Sequence, residues 1–156
     1  MAETEGLPGS FGTSSSLAIR LGQIVFSTAS LLFMCLDVDF YSYTVFSNFV
    51  VVMGILIPWS LTMAMVDAWS VFTDCAPRRR RRKTVFMIIV GDMFLSYILL
   101  AAAASTAGVT DAMIKAGGFC SPKLCSRYQL SAAMAFLCWF LLISSSLFNL
   151  WQLPSL

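Results

Sequence analysis

The chain has 156 residues, of which 58% are hydrophobic and only 12% charged, with a formal net charge of +2. Soluble domains are about half apolar and a quarter charged, so an ordinary water-soluble fold is excluded. Five cysteines and no histidine exclude a histidine–cysteine zinc site, a histidine-activated nucleophile and a histidine-ligated haem. No cofactor is expected.

Residues 1–16 are rich in Gly, Ser and Thr, carry Glu3 and Glu5, and show no apolar period. They are expected to form a flexible tail. The apolar run at 17–36 follows this acidic start and is about twenty residues long, which suits a retained span better than a cleaved signal. A short acidic and aromatic turn at 37–43 leads to a second span at 44–66, with Trp69 and Phe72 trailing it. Tyr41, Tyr43 and Trp69 suit the aromatic belts of a membrane interface. Pro58 falls in the middle of the second span, where it removes a backbone donor and predicts a kink, either a hinge or a static bend. Then come the basic residues Arg78, Arg79, Arg80, Arg81, Arg82 and Lys83, a third span at 84–107, a loop with Lys115, Lys123 and Arg127, and a fourth span at 128–150. A short tail at 152–156 follows.

Six of the ten basic residues lie in the run before the third span. Short loops rich in lysine and arginine stay in the cytoplasm, so this run reads as a cytoplasmic loop and places both termini on the same side. The predicted fold is an all-α membrane protein, an antiparallel four-helix transmembrane bundle with both termini cytoplasmic. Cys120 and Cys125 would then face an oxidising space, and the segment between them contains Pro122 to turn the chain; a disulfide and two free thiols are both open readings. Cys75 beside the basic run is a candidate for palmitoylation. Cys35 and Cys138 lie within spans and read as small packing residues.

Ionisable groups in a bilayer are costly, at least about 2.5–3.5 kcal/mol at its centre. Arg20 lies near the start of the first span and Asp67 near the end of the second, whereas Asp92 lies roughly 12 Å into the third at about 1.5 Å per residue. Arg20 could fork onto Asp92 as an intramembrane ion pair. Alternatively it could snorkel outward to lipid phosphate and leave a neutral Asp92 bonded to Ser96 or a carbonyl. Asp67, near Trp69, reads as an interfacial, solvated carboxylate. Ser27, Thr28, Ser30, Gly91, Ala101–Ala104, Ser131 and Ala135 supply the small residues that let helices approach in lipid. The basic run fits anionic lipid at about 1 kcal/mol per residue; nucleic acid is not an expected partner.

An arginine in span one (Ala18, Ile19, Arg20), an aspartate in span three (Val90, Gly91, Asp92) and a cysteine pair in the second outer loop resemble the plant CASP-like proteins. These are relatives of the Casparian strip membrane domain proteins and similar in architecture to the MARVEL domain. The resemblance covers all four spans. It implies a multi-pass plasma-membrane protein of a land plant that assembles with itself and with related four-span proteins and acts as a scaffold. It also matches Arg20 and Asp92 to the family's intramembrane charged residues. The strip-forming proteins carry a characteristic first outer loop, and the short turn at 37–43 departs from it, which points to a generic CASP-like role. The expected function is a non-enzymatic scaffold that organises a membrane domain and recruits cell-wall-modifying machinery. The alternative is a small transporter or channel subunit that uses Asp92 as an ion or proton site.

Overall fold

The computed structural model describes residues 14–36, 44–72, 78–117 and 121–152. They form helices α1 (Ser14–Cys35), α2 (Thr44–Phe72), α3 (Arg78–Lys115) and α4 (Pro122–Gln152), and there is no strand among the described residues. All four are long and apolar enough to cross a membrane. A spanning segment must satisfy its own backbone in lipid, and a continuous helix does so with bonds inside the segment.

The helix ends differ from the apolar runs for identifiable reasons. At its start α1 extends back to Ser14, because Ser16 turns inward and finds a buried partner on α2. The basic residues Arg78 to Lys83, expected as a loop, form the opening turns of α3 instead. Arg and Lys are good helix formers, and continuing the helix keeps their backbone groups paired. At 38 residues α3 is about 57 Å long, nearly twice the roughly 30 Å hydrocarbon core. Gly117 ends it with a left-handed φ of 57°, a conformation open to glycine at little cost. Pro122 opens α4, where its missing N–H would be unpaired in any case; the Ser121 carbonyl accepts from the amides of Leu124 and Cys125 at 2.9 and 3.1 Å. Helix α2 runs unbroken through Pro58, which is exposed, and the Thr62 hydroxyl donates to the Pro58 carbonyl at 2.7 Å.

The helices pack as a closed ring in which α1 meets α2, α2 meets α3, α3 meets α4 and α4 meets α1, without close backbone contact across either diagonal. The outer surface carries exposed Val25, Leu32, Ile55, Phe94 and Phe140, as expected where lipid is the solvent. Inside, the two halves of the bundle differ. Toward the C-terminal end of α1 the core is mostly apolar, with Met34, Phe46, Phe49, Met53, Leu99 and Ala103 fully buried beside the hydroxyls of Thr106 and Thr110. Toward its N-terminal end the interior holds Ser16, Arg20, Gln23, Ser60, Asp67 and Asp92.

Candidate functional site

The polar half of the interior is organised by α1. Ser16, Arg20, Gln23, Ser27 and Ser30 are all buried on this helix, and their alternating spacing of four and three residues is that of a single helical face. In water such a face would turn outward, whereas in lipid it turns into the bundle. Arg20 is 1% exposed and Asp92 on α3 is 0% exposed. The guanidinium crosses the diagonal of the ring: its Nη1 donates to Asp92 Oδ1 at 2.9 Å and its Nη2 to Asp92 Oδ2 at 2.5 Å. Two parallel charge-assisted bonds form the fork geometry that only arginine offers. Ser96 does not join Asp92; its hydroxyl donates to the Met93 carbonyl.

A third donor completes Asp92. The Trp59 indole on α2 donates from Nε1 to Oδ1 at 2.9 Å. Its ring lies so close to Gly91 that a side chain there would collide with the indole. Gly91 is therefore what permits Trp59 to reach the neighbouring carboxylate. An uncompensated buried charge is strongly destabilising, and three donors, two of them on the Arg20 counter-charge, supply the compensation.

Gln23 and Asp67 extend the junction. The Gln23 Oε1 accepts from Arg20 Nη1 at 3.3 Å and from the Ser60 hydroxyl at 3.4 Å. Asp67 is 1% exposed, a correction to its expected place as a solvated interfacial acid. The Ser16 hydroxyl donates to its Oδ2 at 2.7 Å, and Arg20 Nε lies 4.0 Å from the same oxygen. From α4 the Cys138 thiol donates to the Gln23 carbonyl at 3.6 Å, so all four helices contribute. Farther along α1, Ser30 and Ser131 each donate to the other's carbonyl at 2.8 Å and close the α1–α4 seam.

Ser16, Gln23, Trp59 and Ser60 were missed by sequence reasoning. The period of the polar residues on α1 was a signal for Gln23; nothing local marks Trp59, which lies 33 residues from Asp92. Cys35 is exposed and so does not pack the interior as expected, because the interior face of that turn is taken by Met34. Cys125 is disulfide-bonded; Cys120, its partner in the sequence reading, and Cys75 lie outside the described residues. Arg82 and Lys83 are exposed on the first turns of α3. Among the described residues no three metal-ligating side chains come together.

The family model of the Casparian strip membrane protein domain matches residues 9–141, a stretch that includes Arg20, Trp59 and Asp92. The chain belongs to the CASP-like family. It is 48% identical over 153 residues to CASP-like protein 5C2 of Arabidopsis thaliana, covering 97% of this chain and 98% of that one. It is 49% identical over 148 residues to CASP-like protein 5C1 of Oryza sativa subsp. japonica, covering 94% of each. A more distant relative, CASP-like protein 5B1 of Ginkgo biloba, is 39% identical over 153 residues, covering 97% of this chain and 82% of that one. No solved structure matches the chain. In this CASP-like protein the arginine of the first helix and the aspartate of the third are thus two members of a wider junction that also draws on α2 and α4.

Proposed function

We propose that this CASP-like chain is a non-enzymatic scaffold of the plasma membrane. Its helices run antiparallel with both termini in the cytoplasm, and it assembles with itself and with related four-span proteins. The resulting domain recruits cell-wall-modifying machinery. The observation that carries the reading is the engagement of Asp92: both oxygens accept hydrogen bonds and its charge is answered by Arg20. An acid bound in this way ties helices together, and its charge is met by a guanidinium and not held open for a passing ion. The other half of the core, closed by fully buried Phe46, Phe49, Met53 and Leu99, supports the same reading, since the polar groups buried there are the hydroxyls of Ser30, Thr106, Thr110 and Ser131, with no charge among the described residues. The antiparallel arrangement is supported by Ser16 meeting Asp67 while Gln23 meets Ser60: advancing along α1 is receding along α2. The basic opening of α3 supports a cytoplasmic location for that end, and exposed Arg82 and Lys83 are placed there to meet anionic lipid.

The function is tested by counting subunits of the fluorescently tagged chain through stepwise photobleaching in its native membrane, with proteoliposome flux measured in parallel. Two or more copies per spot and no flux above empty vesicles are expected. Single copies with proton or cation flux would overturn the scaffold in favour of a transporter. Orientation is tested at Cys125. A membrane-impermeant maleimide applied to intact cells should label its peptide after reduction and not before. Labelling without reductant contradicts the bond, and labelling only after permeabilisation contradicts the orientation.

A further inference from the structure

Two donors in the charged junction are buried without a hydrogen-bond partner: Arg20 Nε and Gln23 Nε2. Both belong to side chains that are otherwise firmly held, Arg20 by Asp92 and Gln23 through its own carbonyl oxygen Oε1, so neither can swing away to find solvent. A buried donor left unmatched costs about 1–3 kcal/mol, more when it is charged, and native interiors match nearly all of them. The guanidinium is also shared unequally. Its two terminal nitrogens face Asp92, while Nε faces Asp67 Oδ2 across 4.0 Å. That gap is too long for a direct hydrogen bond, and a single water about 2.8–2.9 Å from each side spans it.

We infer that the junction between α1 and α2 is a binding site for one ordered internal water, which accepts from Arg20 Nε and donates to the Asp67 carboxylate. A buried water makes about two to four hydrogen bonds; here Arg20 Nε is a buried donor that protein atoms leave unmatched, and the Asp67 carboxylate, which also accepts from Ser16, takes the water's proton. The water, and not a direct contact, then couples Asp67 to Arg20. The guanidinium is held from α3 directly and from α2 through the solvent molecule. The inference rests on the geometry of the junction and is independent of the scaffold assignment.

The test is proton-detected solid-state NMR of the full chain in lipid bilayers, with nitrogen-15 in arginine and in the backbone. The Arg20 Nε–H should show a cross-peak to water at least fivefold stronger than the backbone amides of Leu56 and Leu99 in the apolar half. Asp67→Asn keeps an acceptor of the same size and should retain that peak within twofold, whereas Asp67→Leu should abolish it. A wild-type Nε–H peak no stronger than those amides would overturn the inference, as would a peak that persists unchanged in a folded Asp67→Leu protein. Because the wild-type spectrum alone decides the first point, misfolding of a variant does not shield the proposal.

Discussion

Arg20→Asp and Asp92→Arg should each lower plasma-membrane abundance to below about a tenth of wild type, and the double swap should recover a substantial part of it. Breaking a buried pair by altering one partner costs about 3–5 kcal/mol, because the other charge remains buried without compensation. The loss is aggravated on both sides. Arg20→Asp would place a third carboxylate beside Asp67 and Asp92, which already share one guanidinium. Asp92→Arg would set two guanidinium groups against each other and turn the Trp59 N–H, now donating to Oδ1, toward a cation that accepts nothing. The same indole limits recovery in the double swap, and adding Trp59→Phe should improve it. Abundance at the cell surface and particle size in mild detergent check these outcomes. Asp92→Asn is the sharpest single test: an amide still accepts from Trp59 but leaves Arg20 with only the more distant Asp67 as counter-charge, so abundance should fall to below about half of wild type. Normal assembly of Asp92→Asn would mean that the acid is not needed to hold the helices together, and a role in ion or proton transfer would take its place.

Gly91→Ala should be far more damaging than its size suggests. A Cβ at this position falls on the Trp59 ring, which is an extended rigid body and cannot yield at its tip as an aliphatic side chain can. Overpacking costs about 1–3 kcal/mol, and pushing the indole away also removes a hydrogen bond to a charged group, about 1.5–3 kcal/mol. The thermal midpoint in detergent should fall by on the order of 10 °C. Gly22→Ala serves as the control. There a Cβ meets only the Leu141 Cδ1 methyl at 3.0 Å, a flexible end that can rotate aside for about 1 kcal/mol. Trp59→Leu should rescue Gly91→Ala in part, since it removes the collision though not the lost bond. A Gly91→Ala midpoint equal to that of Gly22→Ala would show that the contact between Gly91 and Trp59 does not constrain the bundle.

Much of the architecture was legible in the residues taken one segment at a time. An apolar run long enough for the bilayer is a local property, and four of them were visible; each lies on one of the helices observed, with α1 stopping one residue short of the end of its run. The cost of burying a charge is also local, so Arg20 and Asp92 stood out as residues that needed a reason to lie where they do. The same logic misjudged Asp67. Its neighbour Trp69 suggested an interface, yet the carboxylate turns inward to Ser16 and Arg20. The difference of a fraction of a helical turn between facing lipid and facing the core follows from packing and leaves no mark in the adjacent sequence. The basic run failed in the opposite way: its charge was read correctly, but charge says nothing about backbone conformation, and α3 continues through it.

Hydrophobic length and the cost of desolvation are properties of residues and their near neighbours, so four spans and two costly ionisable groups within them, Arg20 and Asp92, could be read from the residues alone. What those groups meet is set by the packing of distant segments. The Arg20 fork onto Asp92 spans 72 residues, the indole of Trp59 reaches the same carboxylate across 33, and the serine clasp joins Ser30 to Ser131 across 101. Such contacts require all four helices to settle in mutual depth and rotation at once. That outcome is set by the close fit of side chains, such as an absent Cβ at Gly91 beneath a tryptophan ring, and no pattern within any single helix encodes it.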